Sequence, residues 1–403
     1  MLSIDRMRWL DRWVGVPLCG LASVLRRMRP GARQLAPARR VAFLQLAESG
    51  SNVLADPAVR RWMAQAPHPP AFVTFAKNRA SLRLTGSIAD EDVFPIDPGS
   101  LATLLRDVWR LRRWLRSRGV DTLVDLELFT RVSALIGLFC GTARRVGFHA
   151  PDHAGLYRGD LYTDPVPFAF NEHISRNYLA LVAALDGAPV PPGLPAVARR
   201  PLQPDERQRV TATLAQLFPQ GCGALVLINA NASDMLPQRR WPAERFEALA
   251  HALLAHDPAL SLLLTGGSED RATTAALAAQ IDDPRCVDGA GRFTLGELPA
   301  LFERAALLVT NDSGPAHFAS VSPVHVIVLF GPETPLRFGP LGESSVFYAG
   351  LPCSPCVTPA NQRRSACTDN RCLQAISVEA VLARAKAVLA DTLPAAGEQR
   401  LAG

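Results

Sequence analysis

The stretch from Val309 to Pro340 reads VTNDSGPAHFASVSPVHVIVLFGPETPLRFGP. With Ala305 to Leu308 before it, Val309 completes an apolar run that predicts a buried strand ending at Thr310. Asn311-Asp312-Ser313-Gly314-Pro315 then supplies turn and capping residues, and Ala316-His317-Phe318-Ala319 can begin a helix. A second apolar run, Val324 to Phe330, stops at Gly331-Pro332. A strand, a glycine turn and a helix start together suit an anion, because backbone N–H groups and the positive end of the helix dipole face one point. In that setting Asp312 suits sugar hydroxyls. Ser313 and the amides from Gly314 onward suit phosphate, and His317, one turn in, suits either.

Outward from this stretch the same alternation recurs. Val41 to Leu46, Ala71 to Phe75 and Thr122 to Leu126 read as strands, with helices over Leu101 to Arg118 and Arg131 to Cys140. Beyond the proline-rich Pro189 to Pro204 come strands Ala224 to Asn229 and Leu260 to Thr265. The helices there are Pro242 to His256, Arg271 to Ile281 and a final Val378 to Thr392. Such alternation predicts parallel sheets with helices on both faces, an α/β chain of two doubly wound Rossmann-like domains facing a cleft. The expected division is a basic amphipathic segment 1–40, a first domain 41–188, a linker 189–204 and a second domain 205–403. The second domain includes a cysteine-rich loop and the final helix.

At 403 residues and 48% apolar composition the chain can fill two cores. Among its 43 basic residues only Lys77 and Lys386 are lysines. Residues 1–200 hold 27 basic and 17 acidic residues, net +10, against 16 and 20, net −4, in residues 201–403. A basic first half suits an anionic lipid or a phosphorylated glycan, or is a scattered solvated surface. Nucleic acid is disfavoured, since no basic helix with interleaved aromatics appears. No apolar run reaches the roughly 18 residues that span a bilayer. Trp13 to Leu25 is uncharged, but Arg26-Arg27-Met28-Arg29 follows it where a signal peptide wants small cleavage-site residues. With Trp9, Trp13 and arginines on both flanks, this segment suits a membrane interface, or packs on its own domain.

The second domain holds two further signals. Asn229-Ala230-Asn231-Ala232-Ser233 follows a strand, and Gln238-Arg239-Arg240-Trp241-Pro242 leads into a helix. A cation such as Arg239 beside a helix start can neutralise a leaving diphosphate. Thr265-Gly266-Gly267-Ser268-Glu269 ends another strand; glycines admit a ligand to the backbone and Glu269 can accept ribose hydroxyls.

These motifs, with F-G-P-x-x-P at Phe330 to Pro335, closely resemble the nucleotide-sugar motif of glycosyltransferase family 9, the bacterial lipopolysaccharide heptosyltransferases. The resemblance covers roughly residues 41 to 390 and implies a GT-B fold, with donor in the second domain and acceptor in the first. It implies inverting transfer without an active-site metal, from an ADP-heptose-like donor to an anionic lipid-linked glycan at the cytoplasmic face of the inner membrane. Another nucleotide sugar with an O-antigen or other envelope acceptor is the alternative, as is a non-catalytic binding member. The donor set would be Asn231, Ser233, Arg239, Gly266, Glu269, Asp312, Ser313, Gly314 and His317, with Arg239 where the family has lysine. On the acceptor side Asn171 to Tyr178 resembles an H-x-x-x-x-Y helix, which nominates His173 and Arg176.

One departure bears on catalysis. Family members follow the first strand with G-D-V-L-x-x-x-P, whose Asp is the base. Aligned on Pro57, this chain keeps Gly50 but has Ser51 at the Asp position. A serine hydroxyl is no base near neutral pH, so Glu48 on the same loop is the candidate. Cys353, Cys356, Cys367 and Cys372 resemble a family C-S-P-C…C-x-x-x-x-C segment. They fit structural zinc, reduced thiols or a labile disulfide, while Arg363 and Arg364 nearby suit a phosphorylated acceptor.

Overall fold

A computed structural model describes residues 4–28, 36–150, 152–233, 236–361 and 364–392, with side chains of residues 4–6 and 154 excepted. Arg363 and most of the Arg29 to Arg40 stretch lie outside them. The chain divides into one unit of Met1–Ala198 with Thr358–Arg363 and another of Arg199–Val357 with Arg364–Gly403.

The first unit is built on a parallel sheet of β1 (Val41–Leu44), β2 (Ala71–Phe75), β3 (Val93–Ile96), β4 (Thr122–Asp125), β5 (Arg144–His149) and β6 (Asp164–Pro167), in the order 3-2-1-4-5-6. The second repeats the plan with β7 (Ala224–Asn229), β8 (Leu260–Leu264), β9 (Cys286–Asp288), β10 (Ala305–Asn311), β11 (His325–Phe330) and β12 (Ser344–Tyr348), ordered 12-11-10-7-8-9. Each is a doubly wound Rossmann-like α/β unit, the pair that makes up a GT-B-type chain. Central strands read as continuous apolar runs because both faces are covered: β1, β4 and β8 are buried throughout. Burying one such phenylalanine as Phe43, stacked 6.4 Å from Phe72, contributes roughly 1.5–3 kcal/mol.

Helix ends follow local chemistry. Ser100 and Thr103 form a reciprocal capping box before Leu101–Ser117, and Gly141 closes Arg131–Cys140 in the left-handed region at φ +73°. The Leu101–Ser117 helix departs from expectation in one respect. Val108, Leu111 and Leu115 are buried, but Leu101, Leu105 and Trp109 stand in solvent.

The N-terminal segment packs on its own unit. Ile4–Leu10 and Val16–Arg27 are helical, joined through a π turn at Asp11–Gly15. Asp11 accepts from the amides of Arg131 (2.7 Å) and Val132 (3.0 Å), capping the Arg131–Cys140 helix from outside. Cys19 is buried, Ser23 accepts from the Asp160 amide (2.8 Å), and Arg26 donates to the Tyr162 carbonyl (3.0 Å). Its other face exposes Trp9, Trp13, Leu18, Leu21 and Leu25. Among the described residues no helix is long and apolar enough to cross a membrane.

Candidate functional site

In the second unit the loops after β7, β8 and β10 meet at the carboxyl ends of the strands. Strand order reverses between β7 and β10, where such sheets bind ligands. Asn311 joins the loops. Its Oδ1 accepts from the Trp241 amide (2.9 Å), and its Nδ2 donates to the carbonyls of Ala230 (2.9 Å) and Asn231 (3.3 Å). Asn231 Nδ2 in turn donates to the Thr265 carbonyl (3.1 Å). Trp241, 1% exposed, anchors the Q-R-R-W-P loop by donating Nε1–H to Ile376 O (3.1 Å) and packing edge-on against Phe246.

On this frame Arg239 meets Asp312, Nε to Oδ2, at 3.4 Å. Neither atom has a hydrogen-bond partner although both are buried. Asp312 is 2% exposed and its carboxyl is pushed above the usual range by burial, against the pull of Arg239. A buried polar atom without a partner costs free energy comparable to a lost hydrogen bond, so this pair carries unmet hydrogen-bonding capacity at the carboxyl end of the sheet. Arg240 serves the scaffold instead, donating to Ala232 O from Nε (3.2 Å) and Nη2 (2.7 Å).

Ser313 stands at the N-cap position of a helix of only five residues, Gly314–Phe318, without a side-chain capping bond, and His317 is buried inside that helix. So short a helix carries a small dipole, and Arg239 is the cation beside Asp312 at its start. A Cβ at Gly314 would lie 2.9 Å from Phe318 Cζ, and one at Gly266 2.8 Å from Asn231 Nδ2, so both glycines permit close packing. Glu269 is exposed, its carboxylate folded over Gly267, and Ser233 is exposed on the loop after β7.

Sequence reasoning passed over Glu333, the third residue of Gly331-Pro332-Glu333-Thr334. It is wholly buried and accepts at Oε1 from Arg337 Nη1 (3.0 Å) and the Thr334 amide (3.1 Å), with Oε2 unpartnered. Burial pushes its carboxyl up to about 7, with Asp312 adding to the rise and Thr334, Arg337 and Arg239 opposing it. The only signal for it was an acidic residue after an apolar strand.

In the first unit Ser51 donates to Glu48 Oε2 (2.9 Å) at the start of the Ser49–Met63 helix, on the loop leaving β1. Glu48 is half-buried and Ser51 buried. His173 and Arg176 do structural work in this fold. His173 Nδ1 caps Ile174–Asp186 by accepting from the Ser175 amide (3.2 Å). Arg176 pairs with Glu172 (2.6 Å) and donates to the carbonyls of Pro191 and Gly193. Asp56 lies inside the Ser49–Met63 helix and accepts from the Ala198 amide (2.8 Å). A second carboxylate, Glu127, packs against the same loop: its Oε1 accepts from the amides of Leu46 (2.6 Å) and Ala47 (2.9 Å) and from Gln45 Nε2 (3.2 Å).

Of the four clustered cysteines, Cys372 is buried and Cys353 exposed, all as free thiols. Burial raises the Cys372 thiol, and Cys356 and Cys367 lie near enough to add to the rise. Among the described residues no three His, Cys, Asp or Glu side chains converge to hold a metal ion. As they stand, the cysteines do not fit a four-thiolate site.

Known proteins share this architecture. The structure of E. coli ADP-heptose lps heptosyltransferase II aligns with a TM-score of 0.67 at 20% identity, covering 87% of this chain and 99% of that one. A glycosyl transferase family 9 protein of Veillonella parvula aligns at 0.69 and 19% identity, covering 88% and 97%. In sequence, lipooligosaccharide heptosyltransferase 2 of Haemophilus ducreyi is 26% identical over 220 residues, 53% of this chain and 62% of that protein. That match spans less than two thirds of the relative's length. Lipopolysaccharide heptosyltransferase 3 of Escherichia coli is 32% identical over 113 residues, 27% of this chain and 33% of that protein. The model of glycosyltransferase family 9 (heptosyltransferase) matches residues 108–365, which takes in β4 to β12 and the Arg239–Asp312 pair. With more than half of its length matched, and with this fold, the chain belongs to glycosyltransferase family 9.

Proposed function

We propose that this protein is an inverting heptosyltransferase of envelope glycan assembly, moving heptose from an ADP-heptose-like donor to a lipid-linked acceptor such as a lipopolysaccharide core. The observation that carries the reading is the buried Arg239–Asp312 pair with unsatisfied atoms at the switch point of the second sheet. In this reading Asp312 takes sugar hydroxyls, Arg239 and the amides after Ser313 hold the diphosphate, and Glu269 takes the ribose. Asn231, Gly266 and Gly267 shape the floor. A preorganised cation at the leaving diphosphate lowers the barrier where charge develops. The acceptor hydroxyl gives its proton to a carboxylate of the first unit, for which Glu48 is the candidate named from sequence. An E. coli heptosyltransferase is known with ADP and with ADP-2-deoxy-2-fluoro heptose, which supports the donor class.

We place the protein at the cytoplasmic surface of the inner membrane. The support is the exposed face of the N-terminal helices, with Arg12 over the Trp13 ring at 5.6 Å. Leu101, Leu105 and Trp109 make a second apolar stripe, with Arg113 over Trp109 at 4.7 Å. Aromatic and arginine side chains side by side suit an anionic lipid interface.

Calorimetry with ADP, UDP and GDP, followed by transfer from ADP-heptose to heptose-acceptor lipopolysaccharide, tests the reading. A preference for ADP is expected. Tighter UDP or GDP binding replaces the donor, and the absence of all nucleotide binding overturns the site.

A further inference from the structure

The residue at the family's base position, Ser51, cannot take a proton near neutrality. The first unit nevertheless keeps a buried carboxylate packed against the same loop. Glu127 follows β4 by two residues and is 4% exposed. All three of its side-chain hydrogen bonds, from Leu46 N, Ala47 N and Gln45 Nε2, go to Oε1; Oε2 accepts none of them. The loop it grips is held from the far side by Asn78 Nδ2 to Leu46 O (2.7 Å). Gln45 also accepts from Tyr178 OH (3.3 Å), and Tyr178 lies within reach of the Ser51 hydroxyl. Glu127, Gln45, Tyr178, Ser51 and Glu48 therefore form one connected polar chain.

The backbone around Glu127 is held just as tightly. Its amide donates to Asp125 Oδ1 (2.9 Å) and its carbonyl accepts from Arg158 Nη1 (3.2 Å). Two residues on, Phe129 sits at φ +64° while buried among Phe148, Phe168 and Phe170. An aromatic residue in the left-handed region costs on the order of 1–3 kcal/mol and persists only where surroundings enforce it, commonly beside working sites. A glutamine could accept the same three bonds at Oε1 without placing a carboxylate in the core, so holding the loop does not by itself call for an acid here.

We propose that Glu127 is the general base of this chain, accepting the proton of the acceptor hydroxyl at Oε2, with Glu48 and Ser51 orienting that hydroxyl. The inference rests on the inverting-transfer reading above and names its missing base. As the acceptor oxygen bonds to the anomeric carbon, its proton passes to Glu127. The bond from that carbon to the diphosphate oxygen breaks, and its electron pair leaves with the nucleoside diphosphate. The groups facing Glu127 are Asp125, Arg158 and Tyr178. Burial first, then Asp125, pushes the Glu127 carboxyl up to about 7, with the two loop amides and Arg158 pulling it down. A base poised there matches its working pH.

Glu127→Gln keeps the shape and an oxygen for the loop amides. At saturating donor and acceptor it should lower kcat by about 10²–10⁴-fold, with ADP affinity and Tm near wild type. The rate loss of wild type below about pH 7 should vanish from the residual activity, and Glu127→Asp should recover part of kcat. Glu48→Gln should cost roughly tenfold and keep the acid limb. A Glu127→Gln enzyme within a few-fold of wild type, or an acid limb removed by Glu48→Gln instead, overturns the proposal. Infrared titration decides the matter without turnover, so a failed donor assignment is told apart. In a Glu333→Gln background, so that Glu333 does not contribute, a protonated-carboxyl band titrating near pH 7 and lost on adding Glu127→Gln is expected. Its absence from the Glu333→Gln background overturns the proposal whichever sugar is transferred.

Discussion

Asp125 and Asp312 occupy comparable places: Asp125 ends β4 and Asp312 follows β10, the fourth strand of each sheet in chain order, and each is buried. Their surroundings are opposite. Asp125 pairs with Arg158, accepts from Tyr162 OH (2.6 Å) and from the Glu127 amide (2.9 Å), and Arg158 also donates to Ser133 Oγ (2.8 Å). Asp312 has one arginine at 3.4 Å and an unpartnered oxygen. The same topology thus produces a closed network in one unit and an open one in the other. The first holds Glu127 and its loop in place; the second leaves hydrogen-bonding capacity unmet. Burial of an acidic side chain does not mark function by itself, whereas burial with unmet hydrogen-bonding capacity does.

The largest effect should come from opening the closed network. Arg158→Met leaves Asp125 charged and uncompensated in the core, which costs about 3–5 kcal/mol; thermal unfolding should show a much lowered Tm. A stable variant would break the comparison.

Next comes pH. Glu127 and Glu333 are both raised to about 7 from an ordinary 4.5. Between those values the folded protein holds protons that the unfolded chain has released, so stability falls as pH rises through that window. Each group contributes a fall on the order of 3 kcal/mol. Asp164, Asp186 and Glu206, lowered by their arginine partners or hydrogen bonds, act in the opposite sense below that window. Denaturant melts from pH 4.5 to 8 should show the fall, and the Glu127→Gln, Glu333→Gln double variant should flatten it.

In the open network Asp312→Ala should weaken ADP-heptose binding by about 1.5–3 kcal/mol, roughly 10- to 100-fold, with little change in Tm. Calorimetry checks it, and normal affinity would remove Asp312 from the site. The smallest effect belongs to Arg239→Lys, which restores the family's usual residue. With the charge kept, ADP affinity should shift by less than about 1 kcal/mol.

The two networks were unequally legible in sequence. The open one carries turn and glycine signatures on contiguous residues, so Arg239, Asp312 and Ser313 could be named from those signatures together with the family resemblance they carry. The closed one joins residues far apart: Glu127 meets Leu46 across 81 positions, and nothing in Leu126-Glu127-Leu128 separates it from an ordinary alternating strand. Central strands were visible as apolar runs. The flanking strands β3, β5, β6, β9 and β12 were not: β3, β6 and β12 are half-buried, β9 has three residues, β5 sets Val146 and Phe148 between Arg144-Arg145 and His149, and Pro95, Pro165 and Pro167 read as loop. The N-terminal segment suited lipid and protein alike; Asp11 shows the protein contact. Deleting it would therefore remove a helix cap along with any lipid contact. Trp9→Ser with Trp13→Ser, assayed by sedimentation with anionic vesicles, is the cleaner test, and reduced binding is expected.

The Asp11 contact also has a consequence in time. Its partner Arg131 lies 120 positions downstream. At ribosomal speeds of about 5–20 residues per second, roughly 6 to 24 s separate the emergence of the two. Throughout that interval the inner face of the N-terminal helix, with Cys19 and Ser23, lacks the Arg131–Cys140 helix against which it packs in the finished fold.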